Sequence, residues 1–232
     1  MYVKEMLSLV FYSCFFGSDS NWAHVAPKAP STKYPCIFYT NNMTMVEKLK
    51  HTTWTIVFIP SIPIHNCNIK DAMESKYFKA CPHRLSELKD YTYWCYSDCK
   101  QWVDGEKIEE LIHTMESEKK ECVFGLHPSN FKDVWGEYVL AMQYTKYNAQ
   151  KSMVDAFMKN MFEKGYSSNI ENHYCTGFSI RKNTEKSIQM NNEWFQAILE
   201  CGIECQISFS FIQQRYTDTI YAVPFQTGYG FV

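Results

Sequence analysis

No charge of either sign predominates in this chain: 23 lysines and arginines face 25 aspartates and glutamates. A nucleic-acid binder ordinarily carries a clear basic surplus, so the balance argues against that class. The basic residues are also scattered, and no polybasic cluster stands ready for a membrane surface. No apolar run approaches the ~20 residues that span a bilayer, so no transmembrane segment is expected. The Walker loop, G-x-G-x-x-G, H-E-x-x-H and G-x-S-x-G are all missing. Their absence removes the commonest NTPase, dinucleotide, metalloprotease and serine-hydrolase readings. There is no internal repeat, no low-complexity linker and no break in composition, so residues 1–232 are read as one domain. A chain of that length buries a substantial core.

The start of the chain lacks a cleavage site. Lys4 precedes an apolar stretch from Met6 to Phe16, the outline of a short signal peptide. The stretch is interrupted by serines and ends in Gly17-Ser18-Asp19 rather than a small-x-small pattern. A buried first strand accounts for it better. Asn42-Met43-Thr44 is a glycosylation sequon by pattern, meaningful only in a secretory lumen.

Cysteine is plentiful, at ten residues, but without the dense spacing of a disulfide scaffold. Cys14, Cys36, Cys95, Cys122 and Cys175 fall within apolar, strand-like runs, where a reduced thiol packs as a small hydrophobe. Two C-x3-C pairs, Cys95/Cys99 and Cys201/Cys205, leave a four-thiolate zinc site open as an alternative. A reducing, cytoplasmic location is the expectation. Aromatics make up 16 % of the chain, which suits a sugar or base platform and equally an aromatic core.

The first half alternates two periodicities. Short aromatic and β-branched runs predict strands at 7–14, 36–40, 54–59, 91–97 and 122–126. Helices are predicted over 71–88 and 107–119, the second with Ile108, Leu111, Ile112 and Met115 on one face. Such alternation reads as an α/β domain with a largely parallel central sheet flanked by helices. The second half is more helical, over 134–144, 150–164 (stopped by Gly165) and 192–200 (capped by Asn192, closed by Gly202), with a strand at 174–181.

The most informative stretch is Tyr91-Thr92-Tyr93-Trp94-Cys95-Tyr96-Ser97-Asp98. It delivers one carboxylate to a strand's carboxyl end, where ligands sit in open α/β sheets. A carboxylate there is a candidate anchor for a divalent cation carrying phosphates. A second segment, Ser75 to Leu85, sets Lys76, Lys79 and His83 at i, i+3 and i+7, one helical face, with Pro82 interrupting just before His83. A cationic face beside the sheet edge suits diphosphate; the alternative is a solvated basic face.

The order of these features resembles the plant and bacterial family long known as the domain of unknown function DUF616, regarded as glycosyltransferase-like with a GT-A type fold. The resemblance runs through Tyr12 to Gly17, Phe38 to Asn41, Lys76 to His83, Trp94 to Ser97, His127-Pro128 with Glu137, Ile180-Arg181, and Cys205 to Phe209. Tyr96 stands where that family has its metal-motif Asp, with Asp98 two residues later. Cys205 replaces another Asp, beside Glu204, and Asn41 replaces a third acidic residue.

The resemblance implies a GT-A-like fold and transfer of a sugar from a UDP- or GDP-linked donor to a glycan or other hydroxyl acceptor. It implies Phe15, Phe16, Gly17, Asn41, Lys76, Lys79, His83, Ser97 and Asp98 for donor binding. Mn2+ or Mg2+ would sit on Asp98, and Glu137, Glu204 and His127 are the catalytic candidates. Two readings stand beside it: a relative that binds a nucleotide sugar or glycan without turnover, and a metal-dependent hydrolase.

Overall fold

The computed structural model describes residues 7–19, 27–65 and 67–231. Lys4 and Met6, at the head of the signal-like stretch, lie outside them, as does Val232.

The elements run β1 (Leu9–Phe15), β2 (Cys36–Thr40), α1 (Met43–Leu49), β3 (Thr55–Phe58), α2 (Asn68–Ala80), β4 (Tyr93–Ser97), β5 (Gln101–Val103) and α3 (Gly105–Ser117). There follow β6 (Cys122–Leu126), α4 (Val134–Ala141), α5 (Thr145–Asn148), α6 (Lys151–Glu163), β7 (Tyr174–Lys182), α7 (Glu185–Cys201), α8 (Cys205–Ile212), β8 (Ile220–Val223) and β9 (Tyr229–Phe231). The central sheet has seven strands in the order β3-β2-β1-β4-β7-β6-β8, and β5 pairs with β9 as a separate ribbon. Strands β1, β2, β3 and β4 are mutually parallel, β7 runs against both of its neighbours, and β8 is parallel to β6. The carboxyl ends of every strand but β7 therefore lie on one edge, and β7 begins there. The fold is the expected α/β class, with a mostly parallel sheet flanked by helices.

Both faces of the inner strands are covered, which is why β1, β2, β4 and β6 read as largely apolar runs. Along β1, Leu9, Phe11 and Phe15 pack with Met45 and Leu49 of α1 and with Ile108, Leu111, Ile112 and Met115 of α3. Their neighbours Val10, Tyr12 and Cys14 point to the opposite face, against Phe78 of α2 and Trp94. On the far half of the sheet, α6, α7 and α8 pack around Phe124, Trp194, Phe209 and Phe211.

Local signals explain most boundaries. Asp104 caps α3 through the amides of Glu106 and Lys107, and Asp133 caps α4 through Gly136. Helix α7 starts at Glu185 under Thr184, seven residues before the predicted cap, and Gly202 ends it at φ +100°. The predicted helix over 71–88 stops at Ala80, because Pro82 has no amide to donate and a short 3-10 turn, Pro82–Arg84, follows. All ten cysteines are free, and most are buried.

Candidate active site

A cleft of about 320 Å3 opens at the carboxyl edge, between the end of β4, the start of β7 and the helices α2, α4, α5 and α8. It gathers Lys76, Lys79, Asp98, His127, Glu137 and Glu204, six of the residues singled out in the sequence, and adds Lys100, Lys146, Tyr147 and Thr176.

Asp98 follows β4 directly, and its amide donates to the carbonyl of Gly177 at 2.7 Å. A methyl group on Gly177 would stand 2.9 Å from Asp98 Oδ2, so only glycine lets the carboxylate lie against β7 here. Oδ1 of Asp98 accepts a hydrogen bond from the Tyr96 hydroxyl at 2.7 Å and pairs with Lys79 Nζ at 3.1 Å. Burial raises the Asp98 carboxyl, but Lys79, with Lys100 and Lys76 beyond it, outweighs this and holds it below the usual carboxylate range. Lys79 titrates higher than an ordinary lysine although burial opposes this, because Asp98 favours the ammonium. Lys79 is a buried ion reaching into the cleft, and Lys76 reaches to within 3.3 Å of Cys205 Sγ beside it.

Arg181 fixes the end of α2 that carries these lysines. Fully buried on β7, it donates to the carbonyl of Ala80 at 3.2 Å, that of Lys79 at 2.6 Å and Asn191 Oδ1 at 2.8 Å, and also to the Tyr12 hydroxyl. The last carbonyls of a helix carry partial negative charge, which suits a buried guanidinium.

On the other side of the cleft, Glu204 caps α8 by accepting from the amide of Gln206 at 3.0 Å. It is buried, and burial together with the nearby Glu137 carboxylate raises its pKa despite Lys76. Glu137, in the first turns of α4, sits 2.8 Å from His173 Nε2. The His127 and His173 rings lie 4.5 Å apart. Burial, then His173, lowers the pKa of His127.

The remaining expectations fall elsewhere. His83 shares no face with Lys76 and Lys79: beyond Pro82 it turns toward α7 and meets Asn192 Oδ1 at 3.1 Å. Phe16 stacks on Phe78 with ring centres 4.6 Å apart, and Phe15 joins the core under α1 and α3. Neither is open to a base. Gly17 adopts φ +119°, and a methyl group there would come within 2.7 Å of Asp71 Oδ2. Asn41 accepts from the Gly17 amide and donates to the carbonyls of Ile62 and Pro63, so it ties loops together outside the cleft. Ser97 is buried, and its carbonyl accepts from Ser13. The thiol pairs do not converge: Cys95 lies in the core between β1 and α3, and Cys205 lies in the cleft.

Asp98 alone does not compose a Mn2+ or Mg2+ site. Hard dications take six or more oxygens, whereas this carboxylate has an oxygen shared by Lys79 and Tyr96. Among the described residues it belongs to no group of three or more acidic, histidine or cysteine ligands.

No protein-family model matches the chain, DUF616 included, and no curated protein does. Two solved structures with a similar course are glycosyltransferases. Mouse xyloside xylosyltransferase 1, in its apo form, matches with a TM-score of 0.48 at 10 % identity, over 93 % of this chain and 84 % of that one. Core-mannan synthase A from Aspergillus fumigatus, in a Mn/GDP form, matches with 0.49 at 14 %, over 96 % and 74 %. At such values the functional reading rests on the cleft itself. No helix among the described residues is long and apolar enough to cross a membrane.

Proposed function

We propose that this chain is a glycosyltransferase, moving a sugar from a UDP- or GDP-linked donor to a hydroxyl of a glycan or similar acceptor. The observation that carries the reading is the meeting of Lys76 and Lys79 with Glu204 in one cleft at the carboxyl edge of the sheet. Departure of a nucleoside diphosphate leaves growing negative charge on its phosphoryl oxygens. Ammonium groups held in place before the reaction stabilise that charge without reorganising. Lys79 is so held, by Asp98 at 3.1 Å and by the anchoring of α2 on Arg181.

Asp98 acts in this reading as the lysine's partner, and Lys76, Lys79 and Lys100 supply the positive charge. Glu204 is the candidate base for the acceptor hydroxyl. Its raised pKa brings a carboxylate toward the range where it exchanges protons near neutrality. Glu137 is engaged with His173 and is the weaker candidate.

Calorimetry with a panel of UDP- and GDP-sugars, with and without Mn2+, tests the proposal, followed by assay of donor hydrolysis and transfer. Binding with slow donor hydrolysis is the expected result. Binding without turnover on any acceptor would leave a sugar-nucleotide-binding protein, and absence of all nucleotide affinity would refute both.

A further inference from the structure

His127 and His173 are brought together by the strand register. Leu126 of β6 pairs with Tyr174 of β7, so the next pair outward is His127 and His173, joined by a hydrogen bond from the amide of His127 to the carbonyl of His173 at 2.7 Å. Directly opposed residues in an antiparallel pair present their side chains to the same face. Glu137 then enters from α4, and one ligand atom from each of the three residues falls within 4.8 Å of the others.

The environment of these atoms is unusual. His173 and Glu137 are 0 % and 3 % exposed. His173 Nε2 and Glu137 Oε2 are 2.8 Å apart, yet neither atom, nor His173 Nδ1, has a hydrogen bond of proper direction among the described residues. Buried polar atoms without directed partners are costly, and they cluster where an ion or water completes the site. Two imidazoles and one carboxylate form the donor set of zinc sites that keep an open fourth position.

We propose that His127, Glu137 and His173 bind a transition-metal dication of the Zn2+ class, separately from Asp98 and independently of whether the cleft takes a nucleotide sugar. His127 and Glu137 also line the cleft, so an ion held by the three residues would lie at its wall. Tetrahedral ligand atoms at ~2.0–2.1 Å bonds stand roughly 3.3 Å from one another, so the cluster contracts slightly around the ion. Nitrogen donors make Mg2+ a poor occupant.

The test uses the full chain, stripped with a chelator and titrated with Zn2+, Co2+ and Mg2+, with metal content measured by mass spectrometry. The expected result is one Zn2+ per chain, Co2+ with the visible absorption of a four- or five-coordinate site, and no Mg2+ at matched concentration. His127→Ala, Glu137→Gln and His173→Gln are each expected to weaken Zn2+ by more than the ~10–100-fold that outer-shell changes cost. His127 is partly exposed, so His127→Ala decides the matter if a buried variant fails to fold. No Zn2+ on the wild type would overturn the proposal and leave a metal-free histidine–glutamate pair. Zn2+ bound equally by wild type and His127→Ala would overturn it too, since the ion would then rest on ligands other than this triad.

Discussion

Replacing Lys79 by methionine separates the two things the ammonium does. In the folded chain its side chain is 4 % exposed and that of Asp98 30 %, with 3.1 Å between the charges. Removing one member of a fully buried pair costs about 3–5 kcal/mol because the other charge is stranded. Asp98 is partly open to water and keeps the Tyr96 hydrogen bond at 2.7 Å, so a loss of about 2 kcal/mol is expected in urea unfolding. The loss has a defined pH window. Asp98 is held low, so its contribution is present above the ordinary carboxylate pKa and disappears as pH falls through the folded value. Lys79 is held high, so its contribution is complete below the ordinary lysine pKa and disappears as pH rises through its own folded value. The gap between wild type and variant is therefore widest near neutrality and closes in acid. Ligand affinity responds separately. One charge-assisted hydrogen bond contributes about 1.5–3 kcal/mol, so UDP or GDP binding is expected to weaken by roughly 10–150-fold in calorimetry. A Lys79→Met protein that folds and binds nucleotide with unchanged affinity would refute the reasoning.

Other substitutions probe Glu204 in the cleft and the scaffold around it. Glu204→Gln is expected to lower the rate of transfer by about 100-fold or more while leaving the donor KM near its wild-type value. In the wild type the rate should rise with pH through the elevated Glu204 pKa, and this limb should vanish in the variant. Arg181→Met leaves the buried acceptors of Lys79, Ala80 and Asn191 without this donor, each at a cost of about 1–3 kcal/mol where nothing replaces it, and is expected to lower the midpoint of urea unfolding. Gly17→Ala places a methyl group against Asp71 at φ +119° and is expected to lower stability by about 1–3 kcal/mol, read as a drop in Tm.

Much of this architecture was legible in the sequence because both faces of the sheet are buried. Cys36–Thr40 and Cys122–Leu126 form strands at the predicted limits, since short aromatic and β-branched runs have few other places to go. That Lys76, Lys79 and Asp98 share one cleft follows from helical spacing and a strand end, both local features. His83 departs from the expectation because the turn at Pro82 carries it toward Asn192 of α7 rather than toward the cleft. Phe15 and Phe16 were assigned to a base pocket from the resemblance, and their burial in the core shows only in the packed structure. His173 was missed for a different reason. Its partner is His127, 46 positions away, and only the β6–β7 register makes them neighbours. Lys146 and Tyr147 come from a short helix, Thr145–Asn148, too brief to carry a periodic signal.

The central claim is that a diphosphate lies against Lys76 and Lys79 at the carboxyl edge of the sheet. A crystal structure of the chain soaked with UDP or GDP tests it most directly. The account predicts phosphoryl oxygens within about 3 Å of both ammonium nitrogens, with the nucleotide running out along the sheet edge. A nucleotide bound elsewhere on the surface, with both lysines still turned toward Asp98 and Cys205, would contradict it.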